Sequence, residues 1–163
     1  MSAPAFDPLR AFRVLDRHGV RFVLIGGLAA RLLGSPSITN DLDICYDRAP
    51  DNLEALAGAL RELEARLRGA PEVPFLLDAR TLRAGDHFTF STLAGGLDVM
   101  ATPAGGLDFA SLRRNAQTLR VEDLELMVAD LPDLIRMKRA AGRPKDLIEV
   151  EVLAALLEER ERS

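Results

Sequence analysis

Apolar residues follow two periods along the chain, and the changes between them lay out the elements. Leu9, Phe12 and Leu15 lie three apart, one helical stripe over residues 7–18 that stops at His18-Gly19. Residues 21–25 form a short apolar run and read as a strand. Gly26-Gly27 follows at once, and residues 28–33 turn helical. Residues 42–46 are a second strand. The plainest helix is predicted over residues 51–68. Asp51 stands three before Glu54, the spacing of a capping box, and Leu53, Leu56, Leu60, Leu63 and Leu67 recur at threes and fours. Its other face, with Arg61, Glu62, Glu64 and Arg68, reads as solvated charge.

Residues 73–100 read mostly as strand. Phe88 and Phe90 alternate with Thr89 and Ser91, and Gly95-Gly96 turns into a last strand at 97–100. A short helix is predicted over 108–114, and a strand or hairpin around Glu122-Asp123 over 119–128. Asp130 can cap a helix from Leu131 to Gly142, with Pro132 in its first turn. A final helix is predicted over 144–160, burying Leu147, Val150, Leu153 and Leu157. Helices and strands mixed irregularly, with several strands adjacent, predict an α+β class. No repeat or polar linker divides the chain, so the expectation is one domain, 1–163, with a C-terminal helical part over about 130–160.

Composition narrows the function classes. Hydrophobic residues are 48% and charged residues 28% of the 163, enough apolar material for a core. The formal charge of −4 argues against a non-specific nucleic-acid coat. Cys45 is the one cysteine, which excludes a disulfide scaffold. Residues 1–8 lack a basic start and an apolar run, so no signal peptide is expected. The longest uncharged apolar stretch, 22–30, ends at Arg31, far short of the roughly 20 residues that span a bilayer. A cytoplasmic protein without membrane contact is the expectation.

Three features carry candidate chemistry. Gly26 and Gly27, between a strand and a helix, let backbone approach a ligand closely and suit a phosphate; the plainer reading is a tight turn. Asp41 and Asp43 alternate along a strand, so both project to one face while Leu42 and Ile44 face the core. Two such carboxylates repel unless a cation joins them, and Mg²⁺ fits, preferring oxygen ligands from few carboxylates plus phosphate. Solvated aspartates at a strand end are the alternative. Asp98, alone inside the apolar run 97–100, is either a strand-end residue or a third metal ligand that draws a proton from a hydroxyl.

The positive charges are also patterned. The only two lysines among the 21 Lys and Arg are Lys138 and Lys145, in a stretch 136–145 with five cations and no acid. A helix C-terminus explains Arg136 to Arg139, but Lys145 opens the next helix, where cations are disfavoured. Lys138 and Lys145, with Arg143 second, are therefore predicted phosphate contacts. His18 reads as a helix end. His87 is either surface or the lining of an acceptor pocket, and Cys45 reads as a small buried residue.

Gly26-Gly27, thirteen intervening residues, Asp41-Leu42-Asp43-Ile44 and the later Asp98 together resemble the nucleotidyltransferase superfamily that includes DNA polymerase β. The stretch Thr39-Asn40-Asp41-Leu42-Asp43-Ile44 is similar to small bacterial nucleotidyltransferase-like proteins of the antibiotic-modifying and toxin–antitoxin kind. So are Asp133-Leu134-Ile135-Arg136-Met137-Lys138 and Ala141-Gly142-Arg143-Pro144-Lys145-Asp146-Leu147. The resemblance spans roughly residues 20–155. It implies a mixed sheet flanked by helices, with C-terminal helices. NTP phosphates would lie at Gly26 and Gly27. Asp41, Asp43 and Asp98 would form a two-metal Mg²⁺ site in which Mn²⁺ can substitute, and Asp98 would activate the acceptor hydroxyl. The chain is short for such an enzyme, and Leu28-Ala29-Ala30-Arg31 lacks the serine and basic residues that some relatives carry there.

The expected function is Mg²⁺-dependent transfer of NMP from an NTP to a hydroxyl on a small molecule, a protein or a tRNA end, releasing pyrophosphate. The alternative is a non-catalytic nucleotide-binding or partner-binding module of the same fold, such as one half of a toxin–antitoxin pair with a cognate protein partner.

Overall fold

The computed structural model describes residues 4–163; residues 1–3, which belong to the span 1–8 in which no signal peptide is expected, lie outside the described residues. Helix α1 (Pro8–Arg17) is capped by Asp7, whose carboxylate accepts from the Arg10 amide at 3.2 Å. Strand β1 (Phe22–Ile25) runs into helix α2 (Gly26–Leu32), which begins at the glycine itself. Strand β2 (Asp41–Tyr46), helix α3 (Pro50–Glu62), the two-residue strand β3 (Arg66–Leu67) and helix α4 (Ala79–Ala84) follow. Strands β4 (His87–Thr92) and β5 (Gly95–Met100) form a hairpin. Helix α5 (Phe109–Asn115) leads to a second hairpin, β6 (Gln117–Val121) and β7 (Leu124–Val128). Helices α6 (Leu131–Ala141) and α7 (Pro144–Arg162) pack on each other at the C-terminal end.

The seven strands make one mixed sheet in the order β3-β4-β5-β2-β1-β7-β6. β2 runs parallel to β5 and β1 parallel to β7, while the other neighbours are antiparallel. Register sets Asp43 opposite Asp98, and Asp98 opposite Thr89. Leu15, Leu24, Leu42, Ile44, Leu53, Leu56 and Leu60 are fully buried in one apolar cluster. This is the α+β architecture, a mixed sheet flanked by helices, that the sequence predicts. Among the described residues no helix is long and apolar enough to cross a membrane.

Three local expectations are corrected. The helix predicted over 51–68 ends at Leu63, because Glu64 takes a left-handed backbone (φ 52°) and the chain reverses. Leu67 then pairs with Phe90 in the sheet rather than extending the leucine stripe. At the same helix's start Ala49 is the cap residue and Pro50 opens the first turn, while Asp51 bonds instead to Arg21 at 3.0 and 3.1 Å. Within 73–100, residues 73–78 are irregular and 79–84 helical. Pro71 and Pro74 deny ladder donors, and the Asp78 carboxylate accepts from the Thr81 amide at 2.8 Å to start α4. In α7, Val150 and Leu153 are buried as predicted, but Leu147 is 49% exposed; the buried first-turn residue is Asp146.

Candidate active site

The site lies across the parallel pair β2 and β5. Leu42 and Ile44 on one strand, Leu97 and Val99 on the other, are buried in the core. The alternate positions therefore fix Asp41, Asp43 and Asp98 on the opposite face. Asp43 is half-buried and faces Asp98 directly. Burial pushes the Asp43 carboxyl up to about 7. The negative charges of Asp98 and Asp41 add to this, as does a hydrogen bond with Asp98, and the Lys138 ammonium opposes it. Near neutral pH this carboxyl is poised between its two protonation states.

Gly26 lies against this pair for a reason distinct from phosphate approach. Its φ is 74°, and a Cβ there would stand 2.2 Å from Asp43 Oδ2. Only glycine leaves room for the carboxylate where β1 turns into α2. At Gly27 a Cβ would lie 2.9 Å from Thr39 Cβ, and the Thr39 hydroxyl donates to the Asp41 carbonyl at 3.1 Å. The two glycines thus bring the start of α2 and the start of β2 together.

Asp98 has a cation neighbour that its sequence setting did not reveal. Arg68 Nη2 lies 3.0 Å from Asp98 Oδ1 and 3.9 Å from Asp41 Oδ1, and the same nitrogen donates to the Phe90 carbonyl at 2.8 Å. The contact with Asp98 is an ion pair without hydrogen-bond alignment. Asp98 Oδ1 is buried and receives no hydrogen bond. Asp41 is the outermost of the three acids, its side chain 53% exposed.

A cavity of about 430 Å³ opens beside Asp43 and Asp98. Gly26 and His87 line it, the loop Thr102-Pro103-Ala104 forms one wall, and Lys138 and Arg143 come from the α6–α7 corner. Gly142, left-handed at φ 67°, ends α6 and lets α7 start at Pro144. Behind that corner sits Asp146, fully buried, accepting from Arg143 Nε at 2.6 Å and lying 3.5 Å from Lys138 Nζ. Hydrogen bonds from Arg143 chiefly hold its carboxyl below the usual range, with Lys138 assisting.

The structure thus gathers Gly26, Asp43, Asp98, Lys138 and Arg143 around one cavity. Asp41 and Gly27 adjoin it but are not in its lining. Lys145 is exposed at the start of α7 and outside the lining, so only one of the two lysines reaches the cleft. His87 does line it. His18 belongs elsewhere, 2.9 Å from Glu62. Cys45 is fully buried and its thiol is pushed up to about 12 by burial, which leaves no thiolate for chemistry. Arg68 and Asp146 are the residues that sequence reasoning missed. Arg68 was hidden by the overlong helix, and a correctly placed end at Leu63 would have returned it to the sheet.

Among the described residues no three His, Cys, Asp or Glu side chains gather closely enough to hold a metal by themselves. Asp43 and Asp98 do face each other, with one orphaned buried oxygen and a carboxyl strained toward its protonated form. Mg²⁺ commonly takes one or two carboxylates and completes its shell with water and phosphate, and this pair fits that use.

No family model matches the sequence, and none of the curated proteins matches it either. Solved structures do. The chain has the nucleotidyltransferase fold. It is similar to the lincosamide antibiotic adenylyltransferase LnuA in its lincomycin-bound crystal structure, with a TM-score of 0.61 and 14% identity over 93% of this chain and 99% of the other. It is similar also to a protein of Thermotoga maritima assigned as a nucleotidyltransferase. That likeness has a TM-score of 0.54 and 17% identity over 96% and 97% of the two chains.

Proposed function

We propose that this protein is a Mg²⁺-dependent nucleotidyltransferase that moves NMP from an NTP to a hydroxyl on a small molecule. The observation that carries the reading is the register pair Asp43 and Asp98, set beside Gly26 at the edge of a cavity that Lys138 also lines. The cavity volume of about 430 Å³ is in the range of small-molecule sites, which suits a nucleotide with a small acceptor at the open side. The lincosamide enzyme of the same fold, crystallised with an antibiotic, supports the same choice.

In this reading Asp43 and Asp98, with Asp41 at the rim, would hold Mg²⁺, for which Mn²⁺ could substitute. Bound there, the metal would supply charge neutralisation and Lewis acidity at the phosphate oxygens. Lys138 meets a phosphate oxygen as a point charge, anchored from behind by Asp146. Arg143 closes the same corner. Asp98 takes the proton of the acceptor hydroxyl as its oxygen attacks the α-phosphorus. The bond between the α-phosphorus and the bridging oxygen breaks, and pyrophosphate leaves with the electron pair. Gly26 keeps the turn from β1 into α2 free of a side chain that would displace Asp43.

The test is incubation with each of the four NTPs and Mg²⁺ against a panel of hydroxyl-bearing small molecules, with pyrophosphate release as readout and the Asp98→Asn protein as control. Acceptor-dependent pyrophosphate release lost in the control supports the reading. Nucleotide binding without any turnover instead assigns a non-catalytic module of the same fold.

A further inference from the structure

We infer that Arg68 is a built-in cation that takes one of the two positions a pair of metals would fill, so that Asp43 and Asp98 are left to hold a single divalent ion. This rests on the metal reading proposed above and changes its stoichiometry.

Arg68 is not a surface arm that happens to touch an acid. Its backbone amide donates to the Thr89 carbonyl at 3.0 Å, which prolongs the pairing of β3 with β4 by one residue. Its Nη2 is fixed a second time on the Phe90 carbonyl at 2.8 Å. The side chain is 34% exposed. With both ends tied to β4, the guanidinium lies over β5, between Asp41 and Asp98.

The sheet is shaped to receive it. Gly96 stands opposite Asp41 in the register of β2 and β5. A Cβ at Gly96 would be 2.2 Å from Asp41 Oδ1 and 2.7 Å from Arg68 Nη2. Any side chain there would expel the carboxylate, the guanidinium or both. The bare Cα of Gly96 is thus a notch that admits the Asp41–Arg68 contact, as the bare Cα of Gly26 admits Asp43. Each glycine clears one side of the acid group.

The two sides then differ. The Asp41 side already contains a cation, and a guanidinium keeps its charge at any ordinary pH. A metal placed there would have to displace Arg68 from two acids and from Phe90. The Asp43 side opens on the cavity, whose lining includes Asp43 and Asp98 but neither Asp41 nor Arg68.

The experiment is Mn²⁺ titration of the full-length protein without nucleotide, followed by electron paramagnetic resonance, on the parent, Arg68→Gln and Arg68→Lys proteins. Glutamine keeps a donor for the Phe90 carbonyl and removes the charge; lysine keeps the charge. Thermal melts of all three confirm that each is folded. The parent and Arg68→Lys proteins should each bind one Mn²⁺ per chain with an isolated-ion spectrum. The Arg68→Gln protein should bind two, with the dipolar broadening of neighbouring ions. Two ions in the parent, or one in Arg68→Gln, overturn the role of Arg68 and leave the metal reading standing. No binding by any of the three overturns the metal reading and this inference with it.

Discussion

Replacing Asp43 with asparagine should stabilise the protein when no metal is present and destroy its response to metal. Burial and the charges of Asp98 and Asp41 raise the Asp43 carboxyl from 3.8 to about 7 in the folded state. A raised folded value means that the native state holds the proton more tightly than the unfolded chain does. The resulting stability is complete below about pH 4 and is lost as pH rises through about 7. A shift of about 3 pH units corresponds to roughly 4 kcal/mol, a ceiling because Asp43 keeps some contact with solvent. The Asp43→Asn protein carries no such dependence. Near pH 8 in a chelator it should be about 2–4 kcal/mol more stable than the parent, with the two close together near pH 4. At about 2–4 °C per kcal/mol for a chain of this size, the melting point should rise by about 4–16 °C. Adding Mg²⁺ should then raise the parent by mass action and leave the variant unmoved. Thermal melts by circular dichroism at the two pH values, with chelator and with Mg²⁺, read every part of this. A variant no more stable than the parent near pH 8, or equally shifted by Mg²⁺, refutes the reasoning.

Asp98→Asn should lower turnover by about a hundredfold or more, as loss of a positioned base does, while NTP affinity measured by calorimetry changes much less. Lys138→Ala should weaken NTP binding about tenfold or more, since it removes a charge-assisted contact, whereas Lys145→Ala, outside the cavity lining, should change it less than about twofold. Gly26→Ala should cost about 2 kcal/mol or more in urea unfolding, from the left-handed backbone and the overlap with Asp43; pairing it with Asp43→Gly should recover part of that loss.

Local signals carried most of the fold. The leucine spacing of α3, the proline at the start of α6 and Gly142 at its end each act within a few residues, and the structure has them where the pattern put them. The failures came where contacts distant in sequence decided the outcome. Leu67 continues the leucine period, yet its partner is Phe90, reachable only after the chain turns at Glu64. Leu147 fits the apolar stripe of α7, but the ion group around Asp146 sets which face of the first turn is buried. In the site, the alternation of Asp41 and Asp43 was legible because strand period two is local. Arg68 and Asp146 were not, because a charged residue on a helix face or in a first turn looks the same whether it meets solvent or an acid across the sheet.

The register of the sheet has a consequence for how the site comes into being. β1 finds its parallel neighbour β7 only when Leu24 meets Val128, and β2 finds β5 only when Asp43 meets Asp98. Contacts of such long sequence separation carry a loop-closure cost that slows folding. A chain emerging from the ribosome therefore carries its acid pair well before the α6–α7 corner exists to face it with Lys138. The cleft is complete only when residues 22–146 have been made and docked. Binding at this cleft would then favour chains in which α6 and α7 are docked over chains in which they are not.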